Sequence, residues 1–305
     1  YCDSFFQFIT GKNVMGYGII DNRISSFFGE EKILGSYVSR FFFIFAGLWF
    51  TYYHINTTKK NFIFIIFLAL SLITIIISGD RMPLLVFLVC ILILFFSIKI
   101  KLKYRTIYLT ILSLIICLPI IFSQSVYDRL IKRTLLEFGS EKGLVEGSRF
   151  YQIELKNNEK ITMFTQQQNF LFTSINMIKS KFIFGHSNKG YKINCSKFAL
   201  DKFSCPSHPH NTYLQLFVEN GLVGFTFISS IFFYFTYILI INFKNLIFNK
   251  SILDISEVCF ILAIYLNIWP LVQTGNFYNN WLSIIYYLPV VFYLNNNNLI
   301  RKLKK

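Results

Sequence analysis

Seven apolar segments, separated by polar turns and by one long polar loop, restrict this chain to a narrow set of folds. A bilayer core about 30 Å thick is crossed by about 20 helical residues, and lipid tolerates only backbones that satisfy their own hydrogen bonds. Hydrophobic residues make up 54% of the chain. We therefore expect an all-α, polytopic transmembrane helix bundle of about seven spans. The segments are Gly35 to Tyr53, Phe62 to Ser78, Met82 to Ile98, Thr106 to Phe122, Tyr213 to Ile241, Val258 to Val272 and Trp281 to Leu294.

The positions of the basic residues give these spans an orientation. Twelve of the 30 Lys and Arg residues lie in alternate loops, and short cytoplasmic loops retain positive charge. These loops carry Lys59 and Lys60, Lys99 to Arg105, Lys244 and Lys250, and the C-terminal Arg301 to Lys305. We predict an outer N-terminal segment (1–34), four spans (35–123), one long periplasmic loop (124–211), and three spans with a basic cytoplasmic tail (212–305).

The net charge of +15 does not indicate a nucleic-acid partner, because the basic residues interrupt apolar spans instead of collecting on one soluble face. The first ten residues also lack the basic and long apolar stretches of a signal peptide. Since the chain begins at Tyr1, we expect further N-terminal sequence to precede it.

The predicted periplasmic loop is basic. Between Ser123 and Tyr213 it holds thirteen Lys or Arg residues against seven Asp or Glu, a net +6, and such a surface attracts anions. An amphipathic helix is predicted within it, from an apolar stripe at intervals of 4, 3 and 4 residues. This helix either lies on the membrane face or packs to close the loop. The stripe is formed by Leu171, Ile175, Ile178 and Phe182.

Two cysteines of the loop favour a disulfide. Cys195 and Cys205 lie ten residues apart, and the predicted periplasmic side is an oxidising compartment. A metal site that combines the two thiols with His208 and His210 is the alternative. The spacing of these four residues matches no common zinc pattern, so we predict no metal.

Polar residues cluster where the chain re-enters the membrane. His208 and His210 precede the span, and Asn211, Gln215 and Glu219 follow at intervals of four, which places them on one helical face. Polar groups at this depth are costly unless they face a wet cavity or a partner. The stripe therefore indicates either a cavity or, for Glu219, a structural ion pair with an arginine such as Arg40.

Single arginines mark the outer face of the predicted bundle. Arg81 lies in the turn Ser78-Gly79-Asp80-Arg81-Met82-Pro83 between two spans, on the side that disfavours basic residues. It is either a candidate anion ligand or a solvated charge paired with Asp80. Arg23 and Arg149 are further outer arginines, with a weaker case from sequence alone.

Four segments together resemble the bacterial O-antigen ligase and polymerase superfamily. They are Asp21 to Gly35 (DNRISSFFGEEKILG), Ser78 to Leu84 (SGDRMPL), Phe184 to Lys192 (FGHSNKGYK), and Ser207 to Gly224. In the last, His210-Asn211 is followed by nine residues, Gly221, two residues and Gly224, which is similar to the spacing of the ligase signature.

The resemblance implies an inverting, metal-independent glycosyltransferase of the bacterial inner membrane, without a cofactor, whose active site faces the periplasm. The donor would be an undecaprenyl-pyrophosphate-linked glycan held beside membrane lipid. The acceptor would be the lipid A core for a ligase and the growing glycan for a polymerase. A non-enzymatic transporter or flippase is the alternative class. Transporters hold polar residues near the bilayer midplane in broken helices, whereas here they gather at the outer ends of spans, which favours an enzyme.

The same resemblance assigns roles to residues. A sugar hydroxyl must lose its proton as it attacks, so His210 is the candidate base. Without a metal ion, guanidinium groups must stabilise the leaving pyrophosphate, and Arg81 is the first candidate. Arg149 follows, with Arg23 and Arg40 in reserve. The remaining candidates would orient the base or bind substrate, and they are His208, Asn211, Gln215 and Glu219.

Overall fold

The computed structural model describes residues 1–52, 58–97, 102–132, 134–135, 151–154, 160–163, 166–199, 205–248 and 253–296. These residues are mainly helical, with one antiparallel pair of short strands, β1 (Tyr151–Glu154) and β2 (Lys160–Met163). The helices are α1 (Cys2–Thr10), α2 (Leu34–Tyr52), α3 (Thr58–Ile77), α4 (Arg81–Ser97), α5 (Leu102–Phe122), α6 (Gln124–Tyr127), α7 (Gln166–Ser180), α8 (Gly190–Asn194), α9 (Thr212–Ile247), α10 (Ile255–Asn267) and α11 (Asn280–Asn296).

Each of the seven predicted segments coincides with a helix. Among the described residues, α2 and α9 are long and apolar enough to cross a membrane. A third span results if Leu109–Phe122 and Gln124–Lys132, which bend by 104°, form one broken span. The mainly helical fold with two or three candidate membrane spans is thus confirmed. The total of seven spans and the periplasmic position of the long loop stay predictions. Four shorter apolar helices are Ile63–Ile77, Arg81–Ser97, Ile255–Asn267 and Leu282–Asn295.

The chain divides into two compact units. The first comprises Tyr1–Thr134, Tyr237–Asn267 and Ile285–Lys305, and the second comprises Leu135–Thr236 and Ile268–Ile284. Helix α10 is the core helix of the first unit: its residues from Ser256 to Asn267 are all buried, and α2 and α4 pack against it. A helix that is apolar on all sides must be surrounded in this way.

Buried polar side chains fold the N-terminal segment of the first unit onto α1. Asp3 accepts a hydrogen bond from the Ser26 hydroxyl, and Gln7 Oε1 accepts one from the Ser26 amide at 2.7 Å. Asn13 Nδ2 donates to the Ser26 carbonyl at 2.7 Å. All four residues are buried. Because buried polar groups need partners, these bonds hold the loop that carries Arg23 in one conformation.

The chain turns sharply after α5. The helices on either side of Ser123 bend by 104°, and Ser123 Oγ accepts a 3.5 Å hydrogen bond from the Val126 amide at the start of α6. A π-helix, Asp128–Lys132, follows directly. Such π turns are rare in proteins as a whole, but those that occur are often found at functional sites. Here the turn places Arg129 against the loop between α3 and α4, as described below.

Helix α7 is the predicted amphipathic helix, but its buried face differs from the predicted stripe. Ile178 is buried, whereas Leu171 is 39% exposed and Phe182, beyond the helix end, is 50% exposed. The predicted stripe is therefore only partly buried, and both alternatives for this helix, on the membrane face or packed to close the loop, stay predictions. Two short hydroxyl residues, Thr173 and Ser174, lie on the buried face, and Ser174 Oγ donates a 2.6 Å hydrogen bond to the Phe170 carbonyl of its own helix. The buried residues of α7 are Phe170, Thr173, Ser174, Met177 and Ile178.

Gly221 interrupts α9 within the second unit. Its φ of 67° and ψ of −156° are not helical. A Cβ on Gly221 would lie 2.1 Å from the Ile183 carbonyl oxygen, and one on Gly185 would lie 2.6 Å from the Glu219 carbonyl oxygen. The Leu222 amide donates a 2.9 Å hydrogen bond to the Phe182 carbonyl. Only glycine fits where these two backbones touch.

Replacing Gly221 with alanine should destabilise the protein more than a positive φ alone can explain. Gly16 is the matched control, since its φ is +88° but a Cβ there would meet nothing within 4 Å. A positive φ strains an alanine in both variants, and the steric clash with the 183–184 backbone is added only in Gly221→Ala. Thermal unfolding in detergent should therefore show a clearly larger loss for Gly221→Ala, and equal losses would contradict the close contact.

Candidate functional site

The turn between α3 and α4, in the first unit, is built around Asp80. Asp80 is 7% exposed and forms an ion pair with Arg23, and its Oδ2 accepts a 2.9 Å hydrogen bond from the Gly35 amide. Arg23 Nη2 also donates to the Lys32 carbonyl at 2.7 Å. Asp80 therefore pairs with Arg23, and not with Arg81 as the alternative interpretation of the turn had it. This arrangement gives Arg23 a structural role, because breaking a buried ion pair leaves an uncompensated charge.

Two more arginines lie at the same turn. Arg81, the first residue of α4, donates from Nη1 to Thr134 Oγ1 at 3.1 Å. Arg129 donates from Nε to the Gly79 carbonyl at 3.4 Å, and a Cβ on Gly79 would lie 2.9 Å from Arg129 Cγ. Arg129 was not among the residues predicted from the sequence. In the sequence, Arg129 is only a basic residue shortly after the end of an apolar segment. Many membrane proteins have such a residue, so it does not stand out.

In the second unit, His210 lies in a constrained loop just before α9. Its φ is 53°, a left-handed value that is uncommon outside glycine, and its carbonyl accepts a 3.0 Å hydrogen bond from the Thr274 amide. The ring centroid lies 5.5 Å from that of Phe170 and 4.2 Å from that of His208. These contacts hold both the backbone and the ring of His210 in place.

Burial keeps both imidazoles of this pair neutral. Burial lowers the pKa of His210 below its ordinary value. Burial, and to a smaller extent repulsion by His210, lower the pKa of His208 to about 4. An interaction with the Thr274 backbone raises this pKa, but by less. His208 Nδ1 lies 2.9 Å from Ser207 Oγ, and its Nε2 is buried without a hydrogen bond to the described residues. At neutral pH both rings are therefore uncharged and able to accept a proton.

Asn211 and Gln215 attach the start of α9 to the chain that follows α10. Asn211 Oδ1 accepts a 3.1 Å bond from the Leu214 amide, as a helix N-cap does, and its Nδ2 donates to the Pro270 carbonyl at 2.6 Å. Gln215 Nε2 donates to Asn276 Oδ1 at 2.8 Å, and its Oε1 accepts from the Phe277 amide at 2.9 Å. These contacts position the His210 loop and account for the polar groups of both side chains.

Glu219 is 2% exposed and has protein partners. Gln215 Nε2 lies 3.4 Å from its Oε2, and the backbone amides of Lys189 and Tyr191 bond to the carboxylate. Glu219 thus bonds to the start of α8 within the second unit. The predicted cavity and the predicted ion pair with Arg40 stay predictions.

The other predicted site residues lie elsewhere. Arg40 is buried in α2 of the first unit, where its Nε has no hydrogen bond to the described residues. Arg149 lies outside the described residues. No group of three or more His, Cys, Asp and Glu side chains suited to a metal ion lies in the part of the chain that the structure describes.

Cys195 and Cys205 form a disulfide, with their Cα atoms 5.6 Å apart. Cys195 is buried in a cluster with Met177, Tyr191 and Val218, against which Cys205 packs. The two sulfurs are therefore not available to a metal. The bond ties α8 to the segment that leads into His208, three residues after Cys205.

We expect Cys195 and Cys205 to resist alkylation in the purified protein until a reductant is added. Reduction should then expose two additional thiols, counted by mass spectrometry of the labelled protein. Cys2, an exposed free cysteine outside the predicted spans, serves as the internal control because it should react without reductant. Immediate labelling of Cys195 and Cys205 in unreduced protein would contradict the pairing.

The sequence model of the family described as O-antigen ligase matches residues 66–229, slightly more than half of the 305 residues. The chain therefore belongs to the O-antigen ligase family. No curated protein and no solved structure matches it. The matched range includes Arg81, Arg129 and the segment from His208 to Glu219, and membership implies a membrane-bound glycosyltransferase.

Proposed function

We propose that this protein transfers a glycan from undecaprenyl pyrophosphate to an acceptor hydroxyl at the periplasmic face of the inner membrane. The observation that supports this most is the state of His210. It stands in the ligase signature, its backbone is held by Thr274, and burial lowers its pKa. A fixed, neutral imidazole at the re-entry point of a span is what a general base for a sugar hydroxyl requires.

The proposed step is a single displacement at the anomeric carbon of the donor. The acceptor oxygen forms a bond to that carbon from the face opposite the pyrophosphate, and its proton passes to a ring nitrogen of His210. The bond from the carbon to the pyrophosphate oxygen breaks, and undecaprenyl pyrophosphate leaves with the electron pair. The configuration at the anomeric carbon inverts, and neither a metal ion nor a cofactor takes part.

Arg81 is the proposed ligand of the leaving pyrophosphate. A guanidinium stays charged at any physiological pH and binds phosphate oxygens through two parallel hydrogen bonds. Fixed donors aimed at developing charge are worth several kcal/mol in a transition state. Thr134 orients this side chain. Asn211 and Gln215 act indirectly, since they hold the loop that carries His210.

A gene deletion tests the proposal and separates its two variants. Bare lipid A core together with accumulated undecaprenyl-linked polymer would identify a ligase, and core with a single repeat would identify a polymerase. Complementation with the unmodified gene should restore the full ladder, whereas His210→Ala should not. An unchanged ladder, or lipid-linked glycan retained on the cytoplasmic side, would overturn glycan transfer and in the second case indicate a flippase.

A further inference from the structure

Three bulky apolar residues in a row are exposed in the turn that follows α7. Phe182, Ile183 and Phe184 are 50%, 57% and 81% exposed, and we call them the apolar tip. A 3.1 Å hydrogen bond from the Gly185 amide to the Lys181 carbonyl closes the turn around them. A soluble surface rarely carries such a run, because consecutive exposed apolar side chains promote association unless they have a function.

Backbone contacts fix the apolar tip to α9 at the point where Gly221 interrupts the helix. The Leu222 amide donates a 2.9 Å hydrogen bond to the Phe182 carbonyl. A Cβ on Gly221 would lie 2.6 Å from the Phe184 amide nitrogen, and one on Gly185 would lie 2.5 Å from the Gly221 amide nitrogen. The tip is therefore held at the level of Gly221 along α9.

The level of Gly221 is also where the membrane-crossing part of α9 begins. Helix α9 is a candidate span, and the 22 residues from Leu222 to Phe243 carry no charge. About 20 helical residues cross a bilayer core. The charged residues of α9 are Glu219, just before this run, and Lys244, directly after it. The apolar tip therefore lies at the boundary between the acyl chains and the lipid headgroups.

Aromatic rings connect the apolar tip to the exposed surface of the same helix. The Phe182 ring centroid lies 5.3 Å from that of Phe217, and the Phe217 ring stacks on Phe225 at 4.8 Å. Val223 and Phe227, in the first turns of the uncharged run, are exposed. The tip thus continues the apolar surface that α9 presents where it would cross the membrane. Phe and Leu side chains in this position sink into the boundary of the acyl chains.

Two lysines lead into the apolar tip. Lys179 lies in the last turn of α7, Lys181 directly precedes Phe182, and both are exposed. Among the described residues, neither ammonium group forms an ion pair. Residues 166–199 contain five lysines and no Asp or Glu. Lysine can lay its stem along apolar groups and hold its ammonium at the phosphates of anionic lipid, so this charge fits an anionic bilayer surface.

We propose that the apolar tip is a membrane anchor of the second unit, inserted among the acyl chains of phospholipids. Lys179 and Lys181 bind the phosphates of anionic phospholipids beside it. This surface lies outside the site of the proposed function, and lipid contact here is independent of whether the chain transfers a glycan. The anchor sets the depth of the α9 kink and thereby holds the His210 loop, which precedes α9, at the membrane surface.

Tryptophan fluorescence in lipid nanodiscs tests the depth of the tip, with the full chain and with no lipid-linked donor present. The emission that Phe184→Trp adds to that of the unmodified protein should lose most of its intensity with phospholipids brominated on their acyl chains. Iodide in the buffer should quench it little, because iodide stays in water. If the thermal unfolding midpoint shows that Phe184→Trp does not fold, Ile183→Trp tests the same tip.

Ile193→Trp is the matched control for depth. Ile193 is 67% exposed, but it lies on α8, whose start contacts α9 at Glu219, on the side of Gly221 away from the uncharged run. Its emission should be quenched by iodide and little by brominated lipid. Equal quenching at positions 184 and 193 would overturn the anchor. So would a tip that only iodide quenches, a result that would indicate a surface for a protein partner.

The lysines are tested through the kind of lipid that surrounds the tip. In nanodiscs of mixed phosphatidylglycerol and phosphatidylcholine, only one of the two lipids is brominated, so quenching of Phe184→Trp gives their relative binding constant at this place. The tip should prefer phosphatidylglycerol. Adding Lys179→Ala and Lys181→Ala together should lower the preference roughly fivefold or more, because each basic residue near an anionic surface strengthens lipid binding severalfold.

Lys192→Ala with Lys197→Ala is the matched control for charge. Both lysines are exposed, lie in the same basic segment and remove the same two charges. They lie in α8 or just after it, away from the tip, so their loss should change the preference less than about twofold. An equal loss in the two double variants, or a tip without preference for phosphatidylglycerol, would overturn the contact of Lys179 and Lys181 with lipid phosphates.

Discussion

His210→Ala should lower the turnover number for glycan transfer by roughly 10² or more, with little change in donor binding. In the proposed mechanism the base acts on the acceptor hydroxyl in the transition state, so its loss should affect kcat more than KM. Transfer is measured with purified protein in lipid nanodiscs, with the donor concentration varied. Imidazole added to the buffer should recover part of the activity of the variant, because it supplies the missing ring.

The pH dependence gives an independent check on this base. Burial lowers the pKa of His210, so the neutral form persists below the ordinary histidine value of about 6.5. Activity should fall only as the pH drops through that lowered pKa, and the acidic limb should be absent from His210→Ala. His208→Ala is the matched control and should keep most of the turnover at neutral pH. The reverse pattern would assign the base to His208, and full activity in both variants would contradict a histidine base.

The helices were predictable because their cause lies in the local sequence. Uncharged apolar runs of about 20 residues become helices in any membrane environment, and each of the seven runs coincides with a helix. The disulfide was also accessible from sequence, since two cysteines in one predicted periplasmic loop have few other uses. Both predictions depend on composition within a short window.

Contacts between distant residues were not predictable in the same way. Nothing in the run of residues from Ser123 to Lys132 indicates a 104° bend followed by a π-helix, and this bend alone brings Arg129 to the turn. The pairing of Asp80 with Arg23, 57 positions earlier, depends on how the N-terminal loop folds onto α1. A charge pattern shows that an arginine is unusual, but only the fold shows its partner.

The polar stripe of α9 shows a second limit. Periodicity placed Asn211, Gln215 and Glu219 on one face, and their partners are mainly backbone groups of the segments that meet this face, together with the Asn276 side chain. Burial of such groups requires hydrogen bonds, and loop backbones supply them as readily as a wet cavity does. The polar stripe therefore indicated where neighbouring segments attach to α9. His210 lies in the chain directly before the stripe.

Arg81→Ala should reduce kcat/KM for the donor by about 10² to 10³, the range reported for losing one donor to developing negative charge. Binding and turnover should both fall, because the proposed role of the guanidinium is to contact the pyrophosphate before and during its departure. Arg81→Lys should recover only part of the loss, since lysine lacks the paired donors. Thr134→Val removes the hydrogen bond that orients Arg81 but keeps its charge, so its effect should be small beside that of Arg81→Ala.

Arg23→Ala supplies the contrast that separates catalysis from folding at this turn. Arg23 pairs with Asp80, whose side chain is 7% exposed, so its removal leaves a buried carboxylate uncompensated and should cost about 3 kcal/mol of stability. Arg81→Ala should leave the unfolding midpoint nearly unchanged while activity is lost, and Arg23→Ala should lower the midpoint strongly. If Arg81→Ala instead lowers the midpoint as far as Arg23→Ala does, Arg81 is a structural residue and the leaving pyrophosphate is stabilised by other groups.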